Sequence, residues 1–264
     1  MSEFCLVAVL HLPPLPGAAN YAGDSVRKMA ESAAEDAAIL EAAGFHAVMI
    51  QDASDNPQAN EVDSPTVAAL TAIGTIVRGA TDLPLGVVVG HNDGAAAVAI
   101  AHAVEAQFVR VKVLTGVAAG PTGWIEGCAM PVAQMKRRLG NSVEVWADAH
   151  EATSLAVAGD TGWAAAEAVS FGGADKLIVT RDSGVADAVE AIASVKAAMG
   201  GDVDIVIGGR VTGDTLELAM AGSDGAILGT VLKGGREFRV DPAVANELGA
   251  RALTFSRNRK GTNE

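Results

Sequence analysis

Cysteine is nearly absent: Cys5 lies in an apolar run and Cys128 in an expected helix. Two thiols build no disulfide framework, and both are expected to be reduced. Aromatics make up only 4% of the 264 residues while half are apolar, so the core must be aliphatic, with abundant Ala and Gly letting helices pack closely on a buried sheet. No apolar run approaches the ~20 residues of a membrane span. Met1-Ser2-Glu3-Phe4 shows no basic leader, so a cytoplasmic, uninserted protein is expected. Basic residues are outnumbered, 19 Lys and Arg against 32 Asp and Glu, for a formal charge of −13. That excess fits either a salt-adapted source or an ordinary acidic enzyme. Its field repels phosphate polymers and anionic membranes, which excludes nucleic acid as an expected partner. A bound phosphate must then be held by local geometry.

What is present is an alternation. Short Val- and Ile-rich runs at 5–12, 47–51, 85–90, 108–114, 143–149, 176–180, 204–207 and 225–228 each precede an Ala-rich stretch of helical period. Helices are expected at 25–43, 65–78, 95–106, 131–139, 163–171, 185–199 and 212–221. Ser64 before Pro65 reads as an N-cap, and Gly44, Gly140 and Gly200 follow helix ends. Buried parallel strands joined by crossover helices account for this pattern. Eight units in a chain of this length predict an α/β fold, a closed (β/α)8 TIM barrel forming one domain over residues 1–253, with a polar tail at 254–264. The segments after the first, second and fourth strands are long and rich in Gly, Pro, Asn and Asp. They should emerge at the C-terminal face, where barrel active sites are built.

Strand alternation sorts the candidate residues. Val7, Val9 and His11 share a side; so do Val87, Val89, His91 and Asp93; so do Trp146, Asp148 and His150. If those sides face the axis, His11, His91, Asp148 and His150 converge as catalytic candidates. Imidazole and carboxylate groups suit proton transfer at neutral pH. Asp52, Asn92, Asp93, Arg110, Lys112, Thr115 and Thr180 would join them as substrate-binding residues, and Asp182 would lie nearby. The alternative for Arg110 and Lys112 is an internal ion pair with Asp148 or Asp182, and Lys112 could also form a Schiff base if desolvated. The candidate metal ligands are spread over three strands without a short local pair, so no metal is expected, although a divalent ion is conceivable. His46 and His102 read as structural.

A second signal is Ile207-Gly208-Gly209-Arg210-Val211-Thr212, a strand passing through a diglycine toward a helix. Gly225-Ala226-Ile227-Leu228-Gly229-Thr230 follows on the last strand. Glycines admit an anion to backbone N–H groups, and barrels often form a phosphate cup after strands seven and eight. Gly208, Gly209, Arg210, Gly229 and Thr230 are therefore the expected phosphate-binding residues.

Three motifs carry a family resemblance: Val9-Leu10-His11-Leu12-Pro13-Pro14-Leu15-Pro16-Gly17, Leu85-Gly86-Val87-Val88-Val89-Gly90-His91-Asn92-Asp93 and Phe108-Val109-Arg110-Val111-Lys112-Val113-Leu114-Thr115-Gly116. With Asp224-Gly225-Ala226-Ile227-Leu228-Gly229-Thr230 and Lys233, the chain resembles the BtpA/SgcQ family along nearly its whole length. The resemblance implies a barrel related to phosphate-binding families, with names that refer to photosystem I biogenesis and a sugar operon. The family usually carries Glu-Asn at Gln51-Asp52, Arg at His91 and Asn at Lys112. From the residues themselves, the expected function is a nucleoside phosphorylase that cleaves a ribosyl C–N bond. Inorganic phosphate is the co-substrate, no organic cofactor is needed, and the assembly is expected to be a homo-oligomer. In that scheme Asp52 and Asp148 hold the sugar and His11, His91 or His150 is the acid. The alternatives are a phosphosugar aldolase or isomerase and a non-catalytic assembly factor.

Overall fold

In a computed structural model, the described residues are 4–140, 142–157, 159–200 and 203–261. Residues 1–3 and residues 262–264, the end of the expected tail, lie outside them. The strands are β1 (Cys5–His11), β2 (Ala47–Gln51), β3 (Leu85–Val88), β4 (Phe108–Val111), β5 (Val117–Gly120), β6 (Gly123–Glu126), β7 (Glu144–Asp148), β8 (Leu155–Ala156), β9 (Lys176–Val179), β10 (Ile205–Gly208) and β11 (Gly225–Leu228). Eight of them pair in parallel in the order β1-β2-β3-β4-β7-β9-β10-β11, and the β11–β1 ladder closes the barrel. The expected (β/α)8 TIM barrel is therefore the fold.

The helices are α1 (Val26–Ala42), α2 (Ser64–Arg78), α3 (Gly94–Ala103), α4 (Ala129–Arg138), α5 (Thr161–Ser170), α6 (Val185–Met199), α7 (Leu216–Gly222) and α8 (Pro242–Gly261). In α1 the spacing of Met29, Ala30, Ala33, Ala37 and Leu40 buries one stripe, and the Ser25 hydroxyl accepts from the Lys28 amide to cap the first turn. The α2 cap is Asp63, which accepts from the Thr66 amide; the expected cap, Ser64, is already helical. No helix among the described residues is long and apolar enough to cross a membrane.

The inside of the barrel is a separate cluster of Val7, Val9, Ala47, Met49, Val88, Phe108, Trp146, Ile178, Val206 and Ile227. Phe108 and Trp146 stack with centroids 4.1 Å apart. Gly86 leaves the room that the Phe108 ring fills.

The expected inward side of β3 needs correction. Gly86 and Val88 face the axis, and Val87 and Val89 pack outward beneath the helices. Gly90 then adopts φ +57, which breaks the alternation before His91. Residues 254–261 of the expected polar tail are helical: α8 runs through Gly261, with Ala245, Leu248 and Ala252 buried at helical spacing before them. Asp241 caps its start by accepting from the Ala243 amide. Sequence patterning also missed a small antiparallel sheet, β6-β5-β8, built from the loops after β4 and β7.

Candidate functional site

His11, Arg110, Asp148, Thr180, Gly208 and Gly229 all lie at or just beyond the C-terminal ends of their strands, above the Phe108–Trp146 layer. Arg110 on β4 reaches across to β7, with Nε 3.0 Å and Nη2 2.8 Å from the two Asp148 carboxylate oxygens. The ion-pair alternative thus holds for Asp148. Burial works against charge on both partners, but the Asp148 carboxylate more than restores the Arg110 guanidinium, which sits above its ordinary pKa. Burial also raises the Asp148 carboxyl, more than Arg110 lowers it, and the two parallel hydrogen bonds fix the geometry of the pair. Asp182 instead turns outward to an exposed pair with Arg210, Nη2 to Oδ1 at 2.7 Å. The Arg210 guanidinium, expected as a phosphate ligand, is thus held by Asp182 in an exposed pair.

Lys112 is buried, 8% exposed, and burial followed by the nearby Arg110 charge lowers its ammonium pKa. Facing it is Glu151, which strand alternation did not select. His150 has φ +65, so the chain reverses its side after Asp148 and brings Glu151 inward. Burial alone would raise the Glu151 carboxyl, but hydrogen bonds from the Thr153 hydroxyl (2.7 Å), the Thr153 amide (2.9 Å) and the Ser154 hydroxyl (2.9 Å), with Lys112, hold it below its ordinary value. The positive φ of a non-glycine residue beside the strand end was the missing signal, and it is not readable from residue types.

The three histidines lie at the expected face, but burial favours the neutral imidazole in each. Burial first, then Lys233 and Arg110, push His11 down to about 4. Burial and Lys112 lower His91; burial and Arg181 lower His150. Nε2 of both His91 and His150 is buried without a hydrogen-bond partner.

Several expected substrate-binding groups hold the framework instead. Asp52 is wholly buried; both its oxygens accept from the Gly90 amide (2.8 and 3.0 Å), and burial, the largest influence, pushes its carboxyl up to about 6. It cannot reach a sugar and instead fixes the turn that carries His91. Asn92 clamps both the amide and the carbonyl of Val113 and also donates to the Glu126 carbonyl. Asp93 caps α3 through the Ala96 amide and accepts from the Val62 amide. The Thr180 hydroxyl donates to the Gly208 carbonyl at 2.6 Å. Thr115 does border open space, lining a cleft of about 250 Å³ that also includes Lys112, Asp148, His150, Glu151 and Trp163.

Around the diglycine the backbone lies open. Gly209 has φ +94, and its α-carbon faces space with no atom within 4 Å of an added side chain. A Cβ on Gly208 would collide with the Thr180 hydroxyl and with Ile178 Cγ2, with Arg110 Nη2 at an ordinary contact distance of 3.6 Å, and one on Gly229 would stand only 2.7 Å from His11 Cε1. Gly208 thus makes room for the Thr180 side chain, and Gly229 lets an imidazole lie directly on its strand end. Thr230 opens a single 3-10 turn, Thr230–Lys233, whose lysine is close enough to suppress protonation of His11. The diglycine does not enter a helix directly: a 3-10 turn, Gly213–Thr215, precedes α7, so the helix dipole adds less than expected. Among the described residues no group of three His, Cys, Asp or Glu side chains is placed to hold a metal ion.

The model of the BtpA family matches residues 2–251. An uncharacterised protein of Thermococcus kodakarensis is 37% identical over 253 residues, spanning 96% of this chain and 95% of its own. The photosystem I biogenesis protein BtpA of Synechocystis is 36% identical over 144 residues, 54% of this chain and 50% of its own. Among solved structures, N-(5'-phosphoribosyl)anthranilate isomerase of Pyrococcus furiosus superposes with a TM-score of 0.55 at 12% identity, covering 95% of this chain and 99% of its own, a likeness of fold alone.

Proposed function

The chain belongs to the BtpA family, and from that premise we propose that it is an enzyme using inorganic phosphate to cleave the ribosyl C–N bond of a nucleoside. The observation that carries this reading is the position of Arg110. It pairs with Asp148, which lines the cleft, and its Nη2 would lie 3.6 Å from a Cβ on Gly208, the residue before the open Gly209, so one buried cation would serve both an anion cup and a sugar site. Phosphate would rest on the backbone at Gly208, Gly209, Gly229 and Thr230, with Arg110 and Lys233 supplying positive charge. The pentose would lie over Arg110, Lys112 and Glu151.

In the reaction a phosphate oxygen forms a bond to the anomeric carbon as the C–N bond breaks, and the bonding pair leaves with the base. The products are a pentose 1-phosphate and a free base that takes up one proton. Glu151, held ionised, stabilises positive charge developing on the sugar ring. Lys112, whose buried ammonium gives up its proton more readily than a solvated one, would protonate the leaving base. Incubation of a nucleoside panel with phosphate, monitored for phosphate-dependent base release and pentose 1-phosphate, tests the reading. No turnover of any purine or pyrimidine nucleoside would overturn it.

One observation favours a second reading. A desolvated Lys112 amine also suits a Schiff base with a ketose phosphate, the chemistry of an aldolase. Borohydride reduction in the presence of dihydroxyacetone phosphate would leave a stable adduct on Lys112 in that case and none in the other. The ionised rim speaks against a purely non-catalytic assembly role of the kind the Synechocystis relative's name describes.

A further inference from the structure

The cleft beside Lys112 changes character along its length. At the axis end it is ionic, with Lys112, Asp148 and Glu151. Away from the axis its walls are Val117, Ala118 and Val157, with Trp163 at the edge. Val117 and Val157 are substantially exposed, and the Trp163 indole is 48% exposed. These side chains come from β5, from the segment after β8 and from the first turn of α5, three places that sequence patterning did not connect. A large aromatic at the rim of a small apolar recess calls for something flat to cover it.

Two details narrow the occupant. Gly159 has φ +76, and a Cβ there would collide with the six-membered ring of Trp163. The glycine therefore lets the backbone lie against the indole and fix its tilt. His150, which also borders the cleft, has a buried Nε2 with no hydrogen-bond partner. A buried polar atom of this kind is costly unless something pairs with it. A sugar ring in the apolar half would leave hydroxyls unpaired against Val117, Ala118 and Val157. A planar heteroaromatic ring would not: its faces are apolar and its donors and acceptors lie at its edge.

We infer that this cleft is a nucleobase subsite, in which Trp163 stacks on the face of the base and the His150 imidazole borders it. The inference rests on the reading above for the sugar and phosphate, which place the anomeric carbon at the ionic end of the cleft. At about 250 Å³ the space lies below the roughly 300–1,000 Å³ of pockets that enclose drug-sized ligands. One ring system fits it, with the pentose left over the barrel mouth.

The test is calorimetric titration of adenine, hypoxanthine and uracil into the wild-type protein and into Trp163→Ala, Trp163→Phe and His150→Ala. At least one free base should bind the wild type. Trp163→Ala should weaken it roughly tenfold or more, as expected for loss of base stacking. Trp163→Phe, which keeps a ring, should retain most of the affinity and show that a folding defect is not the cause. His150→Ala should change which base is preferred. If no base binds the wild type, or if Trp163→Ala binds the same base equally well, the subsite is wrong. Phosphorolysis with an unchanged KM in Trp163→Ala would likewise remove the subsite while leaving the phosphorylase standing. Tight base binding without turnover would do the reverse.

Discussion

Replacing Asp148 by Asn retains the shape of the side chain and removes its charge. In the folded protein that charge is one half of a bidentate pair whose side chains are 1% and 13% exposed. Removing one partner of a buried pair typically costs about 3–5 kcal/mol, because the remaining charge is left uncompensated. Asn still offers one acceptor oxygen to Arg110, so the lower end applies. At roughly 2–4 °C per kcal/mol for a protein of this size, about 3 kcal/mol lowers Tm by roughly 6–12 °C. Calorimetry or near-UV circular dichroism reads this directly. The same variant probes the anion cup, since the freed Arg110 guanidinium still lies beside Gly208. Inorganic phosphate should therefore raise Tm more in Asp148→Asn than in the wild type, because a bound anion supplies the missing negative charge. A ligand at 100 times its Kd contributes about 2.7 kcal/mol, enough to recover most of the loss. The double substitution Arg110→Met with Asp148→Leu should be far less destabilised than the single variant. A variant that melts within about 2 °C of wild type would refute the energetic account of the pair. Equal phosphate shifts in both proteins would separate Arg110 from the anion.

Gly209→Asp and Gly209→Asn place side chains of equal size in open space and share the strain of a positive φ, about 1–2 kcal/mol. The Asp variant alone should lose phosphate affinity, by at least tenfold in a phosphate titration, and equal losses in both would argue against an anion at this position. His11 binds its proton only near pH 4 when folded, against 6.5 ordinarily, so between those values the unfolded chain takes up a proton that the native state does not. Stability from this residue therefore falls as pH drops through 6.5 to 4, by at most about 3 kcal/mol, and the Tm advantage of wild type over His11→Asn should shrink over that window. Asp52, raised to about 6, works in the opposite sense between about 6 and 4, gaining stability as pH falls, so the difference between the two proteins is the diagnostic and parallel Tm curves would exclude the His11 shift. Asp93→Ala should cost about 0.5–2 kcal/mol through loss of the α3 cap and leave kcat/KM of the folded enzyme unchanged, since its carboxylate serves backbone amides only; a large loss of activity in the folded variant would return Asp93 to the site.

The barrel was legible in the sequence because its signal is repetitive: a Val/Ile run is buried on both faces wherever helices cover a parallel sheet, and eight such runs leave little choice of architecture. The strand ends were legible only where alternation continues past the ladder. It does so at β4, where Phe108, Arg110 and Lys112 keep one side, and at β7 as far as Asp148. It fails at Gly90 and at His150, both at positive φ, and each failure redistributes chemistry. At Gly90 the turn is held by the Asp52 carboxylate, which converts a supposed sugar ligand into a support for His91. At His150 no glycine relieves the conformation, and a non-glycine residue in the left-handed region typically bears a cost of order 1–3 kcal/mol. That strain accompanies two placements an unbroken strand would not produce. Glu151 turns inward to face Lys112, and His150 turns aside to line the cleft with its Nε2 unpaired. Strain at one residue that turns a carboxylate toward Lys112 and sets an imidazole against the adjoining recess is accounted for by a ligand that spans both.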